Sequence, residues 1–150
     1  MDRKPVEEAR LVETDAGRTT EGEGWFVVNL RVLGPGRPAA FYHAESGQEA
    51  FLVLRGECMP IIEDQERPLR QWDFVHCPPH TAHVIVGAGD TPCIVLMVGA
   101  RNAGREVIYP ASEVAARYNA GSARETTDPP EAYATLESPP RPGRFRWPPA

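Results

Sequence analysis

The sequence predicts an all-β domain of short strands, and three observations carry that prediction. Sixteen prolines and thirteen glycines interrupt 150 residues. Proline lacks a backbone donor and glycine is entropically costly to order, so long helices have little room between them. The intervening segments are rich in β-branched and aromatic residues, which favour strands. Polar turn sequences separate them at regular spacing, as in an antiparallel sandwich or barrel.

In chain order, residues 1–22 are polar and read as a flexible N-terminal segment. Residues 23–110 form the expected barrel. Its strands fall near Trp25–Leu33, Ala39–Glu45, Glu49–Arg55, Glu57–Glu63, Asp73–Cys77, His83–Val86, Pro92–Gly99 and Glu106–Ile108. Asp64-Gln65-Glu66 reads as a hairpin loop and Ala88-Gly89-Asp90 as a turn. Residues 111–127 are a helical appendage, in which Ser112 caps a helix from Glu113 to Tyr118 and Asn119-Ala120-Gly121 ends it. Residues 128–150 are a proline-rich tail containing Tyr133, Phe145 and Trp147. Such a stretch is either polyproline-like and disordered, or an arm that docks its aromatics on the barrel or a partner subunit.

Charge and composition exclude several classes. Sixteen basic against twenty-one acidic side chains give a net charge of −5, so the clustered cations that grip nucleic acid or an anionic membrane are missing. The apolar run Cys93–Val98 is too short to span a bilayer. The opening Met-Asp-Arg-Lys-Pro-Val-Glu-Glu has no secretory apolar stretch. Cys58, Cys77 and Cys93 match neither a disulfide framework nor zinc spacing. A cytoplasmic domain is expected.

Two short blocks carry the chemistry. The first is His43-Ala44-Glu45-Ser46-Gly47-Gln48-Glu49. On a strand His43 and Glu45 share a face, and a turn at Ser46-Gly47-Gln48 brings Glu49 beside them on the next strand. The second runs from Trp72 to His83, where Pro78-Pro79 closes one strand and His83 opens another. From there a fourth ligand would complete the site.

These blocks resemble the two motifs of the cupin superfamily. The first family motif reads glycine, five residues, His-x-His, three or four residues, Glu, six residues, glycine; this chain has Gly36, six residues, His43-x-Glu45, three residues, Glu49, six residues and Gly56. The second reads glycine, five residues, Pro-x-Gly, two residues, His, three residues, Asn; here stand Trp72, Pro78-x-His80, His83 and Gly87 at that spacing. Fifteen residues separate the blocks, and the likeness extends over roughly residues 25–108.

The resemblance implies a cupin jelly-roll barrel with one divalent metal ion per chain near its mouth, held by His43, Glu45, Glu49 and His83. Glu45 stands where the family usually has its second histidine. If both glutamates ligate, the centre is formally neutral, and oxygen-richer ligation favours Fe, Mn or Zn over Ni or Cu. If Glu45 does not ligate, His43, Glu49 and His83 form the two-histidine, one-carboxylate set associated with non-haem iron. Glu45 and Glu49 are the candidate catalytic proton carriers.

Strand parity places Phe41, Phe51, Val53, Ile85 and Met97 toward the cavity, with Arg55 farther along the Glu49 face and His80 at the rim. Such a pocket would be largely apolar. The implied function is a small metalloenzyme acting on a small organic molecule, with a dioxygenase first, an isomerase or lyase on a sugar-like substrate second, and a non-catalytic metal- or small-molecule-binding barrel third. The expected partners are that small molecule and a second copy of the chain, with no nucleic acid and no membrane.

Overall fold

β2 (Gly24–Leu33) and β10 (Cys93–Asn102) pair along their whole length and form the spine of the molecule. The computed structural model describes residues 10–14, 24–102 and 104–134. Beside the spine lie β1 (Arg10–Thr14), β4 (Glu49–Arg55) and β8 (Phe74–Cys77), completing an antiparallel sheet in the order β1-β2-β10-β4-β8. The opposing sheet is centred on β5 (Glu57–Ile62), which pairs with β6 (Gln65–Glu66), β7 (Leu69–Arg70) and β9 (His83–Ala88). β3 (Ala44–Glu45) and β11 (Val107–Ile108) form a small ribbon. The helices are α1 (Glu113–Ala116) and α2 (Pro129–Ala132).

Alternation along the strands builds two apolar layers. Leu33, Phe51, Val53, Cys77 and Val95 of the first sheet meet Cys58 and Ile85 of the second inside the barrel. Val84 and Val86 point the other way on β9, where Ala115 and Ala120 cover them together with Tyr42. All five residues from His83 to Gly87 are therefore buried. A third group, Phe41, Tyr109 and Ala132, closes one end. Gly87 is required where it stands: a Cβ there would lie 2.2 Å from the carbonyl oxygen of Gly34, whose loop hydrogen-bonds to it.

The all-β class, the Glu49–Arg55 strand and the capped helix match expectation, with the Ser112 side chain accepting from the Ala115 N–H at 3.0 Å. The helix is shorter than expected, ending at Ala116, and Asn119 turns the chain at φ 54. Other elements differ. Residues 39–43 are not continuous strand, because their amides go to different partners: Ala39 to Ile85, Tyr42 to Ala120 and His43 to His83. The segment read as loose contains β1, paired with β2 over Arg10–Thr14. β10 continues past Gly99 to Asn102. Trp72, which stands at the second motif's leading glycine position, is 69% exposed at φ 74. In the tail, α2 seats Tyr133 on Phe41, with ring centroids 4.4 Å apart; Phe145 and Trp147 lie outside the described residues.

Candidate metal centre

His43 and His83 exchange backbone hydrogen bonds, His43 N–H to His83 O at 3.1 Å and the reverse at 2.9 Å. In such an antiparallel pair both side chains leave the same face, and the two rings sit 5.1 Å apart. Glu49 reaches them from the opposite sheet. Ligand donors of His43, Glu49 and His83 lie within 4.8 Å of one another.

The ring orientations are fixed from behind. His43 Nδ1–H donates to the Phe41 carbonyl at 2.6 Å and His83 Nδ1–H to the Thr81 carbonyl at 2.9 Å. A carbonyl only accepts, so in each ring Nδ1 carries the proton and Nε2 is turned inward. That tautomer, locked by a backbone acceptor, is the one a metal-binding histidine adopts. Glu49 Oε2 lies 2.9 Å from His83 Nε2 and 4.0 Å from His43 Nε2. Donors about 2.1 Å from one ion stand about 3–4 Å apart, so the three residues fit a divalent cation.

Glu45 is 3% exposed and lies outside that three-donor group, although one of its oxygens touches His43. Arg105 embraces its carboxylate through Nε, at 2.8 Å, and through a terminal nitrogen. Arg101 approaches at 3.2 Å, and His43 Nε2 lies 3.2 Å from the other oxygen. The structure thus groups three of the four expected ligands and leaves Glu45 in an arginine fork beside them. Each carboxylate already has a guanidinium, so the formally neutral centre expected from two ligating glutamates does not follow.

Ionisation follows these contacts. Burial alone would raise the Glu45 carboxyl, but hydrogen bonds from His43 and Arg105 and the charge of both arginines bring it down to about 2. A carboxylate so stabilised is a weak base, which argues against the proton-carrying role expected of Glu45. Burial also raises Glu49, and its bond to His83 turns the net shift downward. Burial lowers His83, but hydrogen bonds with Cys77 and Glu49 outweigh it and push the imidazole up to about 10.

A cavity of about 200 Å³ opens over the cluster. Of the expected pocket residues, Phe51, Ile85 and Met97 line it. Phe41, Val53, Arg55 and His80 do not, and Val53 is packed in the barrel core. Phe41 lies beneath Tyr133, behind His43. Arg55 is exposed at the far end of β4, about 20 Å of strand from Glu49. His80 is exposed at φ 64, its backbone N–H held by the Glu45 carbonyl.

The lining is more polar than expected, since Asn29, Arg31, Arg101, Arg105, Tyr109 and Tyr133 contribute. Three of these had a readable signal. Asn29 and Arg31 are polar residues at alternate positions of an apolar strand, and Arg101 extends the Met97–Gly99 parity. Ending the strand at Gly99 hid Arg101.

The family model described as the cupin domain matches residues 29–99, which hold all three clustered donors. Among solved structures, one similar chain is a candidate sugar phosphate isomerase from Acidithiobacillus ferrooxidans, at 30% identity and TM-score 0.52, covering 55% of this chain and 54% of that one. A second, named a sugar phosphate isomerase from a cupin superfamily of Silicibacter pomeroyi, has 27% identity, the same TM-score and the same coverage. This chain thus spans about half the length of both. A double-stranded β-helix protein from Klebsiella pneumoniae shares the fold at 23% identity and TM-score 0.52, over 71% of this chain and 86% of that one. No curated protein matches the chain in sequence. With that match enclosing the histidine–glutamate cluster and that barrel around it, residues 29–99 form a cupin domain.

Proposed function

We propose that this cupin is a metal-dependent enzyme that binds one divalent ion per chain and acts on a small organic anion. The observation that carries the reading is the cluster of His43, Glu49 and His83 under a cavity that Arg31, Arg101 and Arg105 also line. A cation held there would supply Lewis acidity and, as iron, redox chemistry toward O₂. The chain's own groups do the rest. The arginines attract and orient a carboxylate or phosphate, the small cavity limits its size, and Phe51, Ile85 and Met97 exclude water from one wall.

The two-histidine, one-carboxylate set favours an oxygen-dependent reaction, a dioxygenase first. The isomerase reading draws on the arginines and on the names of the two structures at 30% and 27% identity. The weak basicity of Glu45 counts against it, because isomerisation needs a base. The three cysteines are free thiols, which suits a cytoplasmic location, and no helix among the described residues is long and apolar enough to cross a membrane.

Oxygen uptake by iron-loaded protein, measured against a panel of small carboxylates and phosphorylated sugars, tests the choice. Consumption with one class, lost in His83→Ala, supports the oxygenase. Isomerisation of a sugar phosphate without oxygen uptake supports the second reading, and neither activity with any bound metal leaves a binding barrel.

A further inference from the structure

We propose that Glu45, in the position of a family ligand, is a positioning residue: it anchors Arg101, and Arg101 fixes which oxygen of Glu49 faces the metal. This rests on the metal-centre reading above. Arg101 bridges the two carboxylates, lying 3.2 Å from Glu45 Oε2 and 3.4 Å from Glu49 Oε1, while its NH1 also donates to the Ala100 carbonyl at 3.0 Å. Glu49 Oε2 is thereby left to the two histidines.

The backbone makes room for this. A Cβ at Gly99 would lie 2.6 Å from both Arg101 NH1 and Glu49 Oε1, so only glycine admits the pair. Arg105 holds both oxygens of Glu45, one of which also lies 3.2 Å from His43 Nε2, so Glu45 could reach a bound ion only by loosening that fork. Glu49 would therefore hold a bound ion through Oε2, the oxygen that faces the two histidines.

Cobalt(II) titration of the whole chain tests this with Glu45→Gln, Arg101→Gln and the double variant. Partners that act through one another are non-additive, and loss of an outer partner weakens metal binding by about 10–100-fold. Each single variant is expected to lose that much and the double no more than either, with the cobalt absorption spectrum unchanged in Glu45→Gln. Arg101→Lys keeps the charge and loses the fork, and serves where Arg101→Gln fails to fold. Additive losses, or a cobalt spectrum altered in Glu45→Gln alone, make Glu45 a ligand and overturn the proposal while the metal centre stands. Absence of stoichiometric cobalt in the unmodified chain removes the metal centre and this proposal together.

Discussion

Glu49 divides its carboxylate between two partners, Oε2 to His83 at 2.9 Å and Oε1 to Arg101 at 3.4 Å. One oxygen thus belongs to the donor cluster and the other to the arginine network that Glu45 anchors.

Gly99 sets the space between Glu49 and Arg101. Its substitution by Ala meets the ends of two flexible side chains, not backbone, so the barrel yields easily while the arginine is displaced. A melting temperature within a few degrees of the unmodified chain is expected, with metal affinity down by about 10-fold or more. Gly87→Ala is the contrast, because its Cβ meets the Gly34 carbonyl; calorimetry should show a loss of about 2–4 kcal/mol. Equal thermal losses in both would contradict the assignment.

His83 titrates against the metal. Burial lowers its pKa, but Cys77 and Glu49 raise it to about 10, so at neutral pH the folded chain carries a proton there that a cation must displace. Binding is expected to release close to one proton per ion between about pH 7 and pH 9, with affinity falling as pH falls. In chelator-treated protein the raised pKa contributes stability that is fully present below about 6.5, the unfolded value, and is lost as pH rises through about 10. Melting curves from pH 6 to 10 check this; a flat profile contradicts it.

Tyr133 connects the tail to the site. Its ring stacks on Phe41 at 4.4 Å and its hydroxyl accepts the Phe41 N–H at 3.2 Å, just behind His43. Tyr133→Phe should cost about 1 kcal/mol through the lost hydrogen bond. Tyr133→Ala should cost about 2–3 kcal/mol and lower Tm by about 4–10 °C. Denaturant unfolding distinguishes these values from the near-zero effect of an undocked tail.

The parts of the fold that local pattern determines were legible from sequence. Motif spacing named His43, Glu49 and His83, whose donors lie within 4.8 Å of one another, each at or beside a strand end. Ser112 announced its helix through a cap that depends on three residues of local chain. What escaped depends on non-local partners. Residues 39–43 looked like strand, but Ala120 takes the Tyr42 amide. Arg101 and Arg105 reach Glu45 across more than fifty residues, and no spacing rule links them. Proline-rich composition concealed that Tyr133 has an aromatic platform to dock on.

Metal content tests the central claim most directly, measured on protein purified without added metal and again after reloading, alongside His83→Ala. One iron, manganese or zinc ion per chain, lost in a folded His83→Ala, is the predicted result. No bound metal after reloading, or equal metal in His83→Ala, would contradict the account.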